Sequence, residues 1–146
     1  MKRLAVVLLL GAVGCGGGGG GSPVTPSTPV PTPTPVSYAG TYSGPMCTTG
    51  AGVACLTVTG RTTTTHTGNA LSFNGLSVSG PVSGSFGGAQ GSLNGNTFAL
   101  TGSYNAACGV VQTTYAGHFS GDGRLMNLRV NLEGCASLQF LGELSR

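Results

Sequence analysis

Apolar and polar residues alternate in short runs between residues 38 and 146, and pairs typical of tight turns separate the runs. A period of two places neighbouring side chains on opposite faces of a strand, so each run predicts a strand with one apolar face. No ten-residue window combines a helical period with capping residues. The predicted strands are residues 38–45, 53–60, 62–73, 76–86, 88–93, 96–105, 110–120, 124–133 and 136–144.

Glycine-containing turns fix the expected register of four hairpins. Two-residue turns are predicted at Asn74-Gly75, Asn94-Gly95 and Asp122-Gly123, and a three-residue turn at Glu133-Gly134-Cys135. The third turn pairs Phe119 with Met126 and Tyr115 with Val130, so that apolar residues face each other. In the same way the first pairs Phe73 with Leu76, the second Gly91 with Phe98, and the last Val130 with Leu138.

Such a chain predicts an all-β protein, an antiparallel up-and-down meander of eight or nine strands. With no helix to cover the apolar face, the sheet is expected to close into a small barrel, and a β-sandwich is the alternative. The expected inward residues are all bulky and apolar: Leu56, Val58, Leu71, Phe73, Leu76, Val78, Phe86, Leu93, Phe98, Leu100, Tyr104, Tyr115, Phe119, Met126, Leu128, Val130, Leu132, Leu138, Phe140 and Leu144.

A recurrent pattern supports strand curvature. Tyr38-x-Gly40-x-Tyr42 reappears as Tyr115-x-Gly117-x-Phe119, and Leu100-x-Gly102-x-Tyr104 is a variant of it. Glycines on an apolar face let a strand bend sharply, and neighbouring aromatic rings cover them. In this respect the domain resembles the small lipocalin-like barrels of surface lipoproteins that bind solutes or host proteins. The resemblance transfers no site residues.

The first residues have the features of an export signal. Met1-Lys2-Arg3 is positively charged, and the apolar run from Leu4 to Val13 is too short to span a bilayer. The run ends in Ala12-Val13-Gly14-Cys15, which resembles the lipobox of bacterial prolipoproteins. The resemblance implies that residues 1–14 are cleaved as a signal peptide and that Cys15 becomes a lipid-modified first residue. Gly16 stands where enteric bacteria place Asp to retain lipoproteins at the inner membrane, so the resemblance favours the outer membrane.

A low-complexity segment follows the predicted lipidation site. Six glycines, Gly16 to Gly21, precede a Pro/Thr/Val segment from Ser22 to Ser37. Glycine runs are flexible, whereas proline-rich segments are extended and semi-rigid. The chain is therefore divided into a signal peptide (1–14), a lipid-anchored tether (15–37) and a β-barrel domain (38–146). We expect the tether to make no contact with the barrel.

Four cysteines remain for the domain, and an exported chain would pair them. Cys47 and Cys55 are close in sequence and would join the first two strands. The register of the Asp122-Gly123 hairpin places Cys108 and Cys135 on one side, within about two residues of direct opposition, or roughly 7 Å. The predicted disulfides are therefore Cys47–Cys55 and Cys108–Cys135.

Composition gives little support for chemistry in this domain. Four arginines and three carboxylates leave a net charge of +1 for residues 38–146, with no basic stripe for nucleic acid. Asp122 belongs to a turn, Glu133 to a loop and Glu143 to the outward face. The two histidines, His66 and His118, have no metal-ligand spacing, and no nucleophile motif is present. We expect no catalytic activity, no metal and no cofactor.

These features together predict a lipid-anchored protein of the bacterial cell envelope whose non-catalytic barrel has a structural or interaction role. The alternative is a carrier for a small apolar ligand within the barrel, and an envelope hydrolase is a third class. An empty interior would favour carriage, whereas a packed one would favour the interaction module. We expect a monomer whose partners are the membrane, through the lipid on Cys15, and an unidentified protein or small apolar ligand.

Overall fold

Nine antiparallel strands make up most of the chain that the structure, a computed structural model, describes: residues 34–50, 53–134 and 137–146. No helix occurs in these residues. The strands are β1 (Gly40–Gly50), β2 (Val53–Thr67), β3 (Ala70–Ser79), β4 (Gly84–Phe86), β5 (Ala89–Asn94), β6 (Thr97–Ala106), β7 (Gly109–Phe119), β8 (Leu125–Glu133) and β9 (Leu138–Ser145).

Eight of the strands close into a barrel. Each pairs with its neighbour along the chain, β1 pairs with both β2 and β9, and β3 is followed in the wall by β5. The short β4 pairs with the second half of β3 and continues the line of β5. Closure leaves no long sheet edge open, which is how an antiparallel sheet without helices covers its apolar face. The predicted all-β barrel is confirmed.

The register predicted for β7 and β8 is also confirmed. Phe119 pairs with Met126 and Tyr115 with Val130. Ser120 holds the turn, because its backbone nitrogen donates to the carbonyl of Leu125 at 2.9 Å and its hydroxyl donates to Asp122 Oδ1 at 2.6 Å.

The hairpin predicted at Asn74-Gly75 is wrong, because both residues lie within the continuous strand β3. The actual turn falls earlier, at residues 68–69, so the predicted strands 53–60, 62–73 and 76–86 are replaced by β2, β3 and β4. The apolar positions Phe73 and Leu76 are three residues apart, which a one-residue bulge accommodates as well as a turn does. Gly75 has a φ of 114°, which a side chain would rarely adopt.

In two other hairpins the partner of each residue lies two positions from the predicted one. The turn predicted at Asn94-Gly95 lies one residue further along, at Gly95 and Asn96, since Leu93 pairs with Phe98. Asn96 is held in this turn by a 2.6 Å hydrogen bond from its amide to the carbonyl of Phe119. In the last hairpin, Leu132 pairs with Leu138 and the connection is longer than the predicted three residues. An even shift keeps every side chain on its predicted face.

Side chains from all eight wall strands fill the interior. Most of the predicted inward residues are buried, but Leu56, Phe86, Leu93, Tyr104 and Leu138 are only partly so. The prediction missed apolar residues of the N-terminal part and two further positions: Tyr38, Tyr42, Met46, Ala89 and Val111. Gly44 and Pro45 interrupt the alternation of β1, which hid the inward direction of its neighbours.

The barrel has two different ends. The turns 68–69, 95–96 and 120–124 lie at one end, together with residues 34–39 and the C-terminal Arg146. We call residues 34–39 the strap and this end the strap end. The other connections, and the cysteines of β1 and β2, lie at the opposite end, which we call the cysteine end.

Candidate functional site

The predicted cysteine sites fall partly within the structure. Cys47 and Cys55 form the predicted disulfide across β1 and β2, with Cα atoms 5.1 Å apart. Cys108 is disulfide-bonded as well. Its predicted partner Cys135 lies outside the described residues, as does the predicted lipidation site Cys15. The Cys47–Cys55 disulfide and Cys108 therefore lie at the cysteine end of the barrel.

Aromatic rings pack closely inside the barrel. Phe119 is fully buried, and its ring centroid lies 4.6 Å from that of Tyr38, 5.6 Å from Tyr42 and 5.1 Å from Phe98. Phe73 lies between Phe98 and Tyr115, with centroids 5.1 and 4.9 Å away. Such packing fills the space that an apolar ligand would need.

Five grooves of the described residues lie on the outer wall. A groove of about 530 Å³ crosses β7, β8 and β9 on the outside, and Asn127, Arg129 and Glu143 line it. Four more grooves of about 360, 370, 440 and 520 Å³ are lined mainly by outward hydroxyl and amide side chains. All five are shallow and open to solvent, unlike the enclosed pockets that hold a small apolar ligand.

Residues of the strap cover the barrel interior at the strap end. The carbonyls of Ser37 and Ala39 accept hydrogen bonds from the Arg146 guanidinium at 3.1 and 2.8 Å. The carbonyl of Tyr38 accepts from Thr64 Oγ1 at 2.5 Å and from the Tyr42 hydroxyl at 3.3 Å. The expectation that the tether makes no contact with the barrel is therefore wrong at Ser37.

The strap was missed although the sequence held a signal for it. Tyr38 occupies the same place in its Tyr-x-Gly-x-aromatic motif as the buried Tyr115 does in the second copy. The motif puts Tyr38 on the apolar face beside Gly40, and the structure buries it there, although Tyr38 is not among the expected inward residues. The backbone of residues 34–39 is nevertheless not part of the sheet, and the alternation alone does not show where β1 begins.

The candidate catalytic groups are spread over the molecule. Asp122 pairs with Arg124 at 3.8 Å in an exposed turn, where hydrogen bonds from Ser120 and the Arg124 backbone lower the pKa of its carboxyl. Glu133 lies at the cysteine end of β8, while Glu143 lies near the strap end of β9. His118 Nε2 lies 3.2 Å from Asn127 Nδ2 on the outer wall. The described residues contain no group of three or more His, Cys, Asp or Glu that could hold a metal ion.

No protein-family model, no curated protein and no solved structure significantly matches this chain. Within the part that the structure describes, no helix has the length and apolar character needed to cross a membrane.

Buried tyrosines predict a loss of stability in alkali. Burial raises the pKa of Tyr115, whose hydroxyl donates to the carbonyl of Gly87 at 2.7 Å, and burial also raises the pKa of Tyr42. Unfolded tyrosines ionise near a pKa of about 10, so the stability from these groups is present below that pH and falls above it. Urea unfolding should give a clearly lower free energy of unfolding at pH 11 than at pH 8. In Tyr115→Phe the difference between the two pH values should be smaller. Equal stability at both pH values would contradict the expectation.

Removal of the Cys47–Cys55 disulfide should destabilise the barrel without unfolding it. The double variant Cys47→Ser/Cys55→Ser should lose about 2–3 kcal/mol of unfolding free energy, as expected for closing a short loop in the unfolded chain. Chemical denaturation measures the loss, with Ser43→Ala on the exposed face of β1 as the control. Peptide mapping without reductant should recover Cys47–Cys55 and Cys108–Cys135, and a Cys47–Cys108 peptide would overturn both assignments.

Proposed function

We propose that this chain is a lipoprotein of the bacterial cell envelope, anchored through acyl chains on Cys15, most simply at the outer membrane. The observation that carries the proposal is the order of the N-terminal features. A short apolar run ends in Ala12-Val13-Gly14-Cys15, and a glycine and Pro/Thr segment follows at once. Several acyl chains on one residue give durable membrane binding, because each buried methylene contributes about 0.8 kcal/mol.

We further propose that the barrel has a structural or interaction role and does not carry a ligand inside. The packed aromatic interior supports this choice over carriage, since an eight-stranded barrel has room for side chains or for one small ligand. The chain joins the barrel at the strap end, through Thr34.

Replacement of Cys15 tests the anchor. Cys15→Ala should move the protein out of the membrane fraction or leave it unprocessed, because no acyl acceptor remains. Mass spectrometry of the wild-type N-terminus should find acyl groups on Cys15. Ser22→Ala, which changes the tether only, should stay in the membrane fraction. A mature chain that begins elsewhere and carries an unmodified Cys15 would disprove the proposal.

A further inference from the structure

The strap is bound to the barrel in the manner of a peptide ligand. Residues 34–39 pair with no strand of the sheet. Barrel side chains instead donate to three successive strap carbonyls, those of Ser37, Tyr38 and Ala39. Hydrogen bonds to backbone carbonyls are available to a peptide of any sequence, so these contacts hold an extended chain without selecting its side chains.

One pocket of the strap end does select a side chain. The Tyr38 ring is only 9% exposed, stacks on Phe119 at 4.6 Å with planes 20° apart, and lies 5.2 Å from the His66 ring. The backbone nitrogen of Tyr38 approaches His66 Nδ1 at 3.4 Å. Offset aromatic pairs contribute beyond the area that they bury, so the pocket favours an aromatic residue. Its neighbours in the strap, Ser37 and Ala39, are small.

The groups that hold the strap all belong to the barrel itself. Tyr42 lies on β1, Thr64 and His66 on β2, Phe119 on β7, and Arg146 follows β9. Tyr42 is also bonded to the carbonyl of Gly123 at 2.8 Å, which fixes its ring independently of the strap. Thr64 Oγ1 also lies 3.3 Å from the carbonyl of Gly40 on β1, so its hydroxyl keeps an acceptor within the barrel. The site is therefore retained, and polar, if the strap leaves.

Gly40 separates the strap from the barrel. Its φ of 150° is one that residues with side chains rarely adopt, and a Cβ there would meet the side chain of Arg146. Rotation at this one residue would lift the strap while β1 keeps its pairing with β2 from Thr41 onward.

We propose that the strap end is a peptide-binding site for an extended chain that carries an aromatic residue, and that the protein's own strap occupies it. The site is a property of the barrel and does not depend on the lipid. Because the strap continues directly into the tether, a pull on the tether would draw the strap out of the site and make the site available to another peptide that carries an aromatic residue.

The test uses the full-length chain in detergent and a fluorescein-labelled peptide with the sequence of residues 34–39. Tyr38→Gly removes the ring that fills the pocket and leaves every barrel residue of the site in place, so the strap of the variant competes through its backbone contacts alone. Fluorescence anisotropy should show saturable binding to this variant, at least tenfold tighter than to the wild type, whose own strap competes at high effective concentration. The same peptide with alanine in place of tyrosine should not bind.

A folded Tyr38→Gly variant that binds neither peptide would overturn the proposal, as would equal binding of both peptides. If Tyr38→Gly does not fold, Tyr38→Leu retains an apolar side chain in the pocket and takes its place. The labelled tyrosine peptide should then bind more tightly than to the wild type, and a folded Tyr38→Leu variant without that gain would be equally decisive against the site. Circular dichroism establishes folding in each case.

Discussion

Replacing Phe119 by alanine is expected to lower the free energy of unfolding by about 3–5 kcal/mol, the range found for large-to-small changes at buried aromatic residues. Phe119 is fully buried at the strap end, and its ring contacts those of Tyr38, Tyr42 and Phe98. Two of these three neighbours resist collapse into the space, because hydrogen bonds fix the Tyr42 hydroxyl and the Tyr38 backbone. We therefore expect a cavity to remain and to add to the cost of the lost contacts.

Chemical denaturation of the variant measures the effect, and Val110→Ala is the matched control. Val110 lies on the same strand but is 59% exposed, so its truncation should change stability by less than about 0.5 kcal/mol. A loss of less than about 1 kcal/mol in Phe119→Ala would mean that the strap end is not a packed part of the core.

Sequence patterns predicted the barrel because most of its wall follows a period of two. Along β7 and β8 the alternation is unbroken, and the Asp122-Gly123 turn has the residues that such a turn requires, so the register was predictable pair by pair. Where the alternation changes phase, as between Phe73 and Leu76, a turn and a bulge satisfy the same pattern. Only the pairing of β3 with β2 on both sides of Gly75 decides between them.

The contacts of the strap could not be predicted in the same way. Ser37 and Ala39 are held through their carbonyls, which every residue has, and the donor Arg146 is more than a hundred positions away. Backbone recognition leaves no trace in the identity of the recognised residue. The burial of the Tyr38 ring, in contrast, could be predicted from the sequence, since Tyr38 belongs to a repeated motif of aromatic residues and glycine.

Gly117→Ala should be strongly destabilising although it adds a single methyl group. Gly117 lies on the inner side of β7, and a Cβ at that position would overlap the backbone carbonyl of Asn127 and press on the Phe98 ring. A backbone carbonyl cannot rotate away as a flexible side chain does, so β7 and β8 would have to separate. We expect a loss of about 3 kcal/mol, the upper end of the usual cost of overpacking.

Gly121→Ala is the matched control, because a Cβ there meets nothing within 4 Å and should leave the midpoint of unfolding nearly unchanged. Equal midpoints for the two variants would show that the close approach of β7 and β8 is not needed for closure of the barrel.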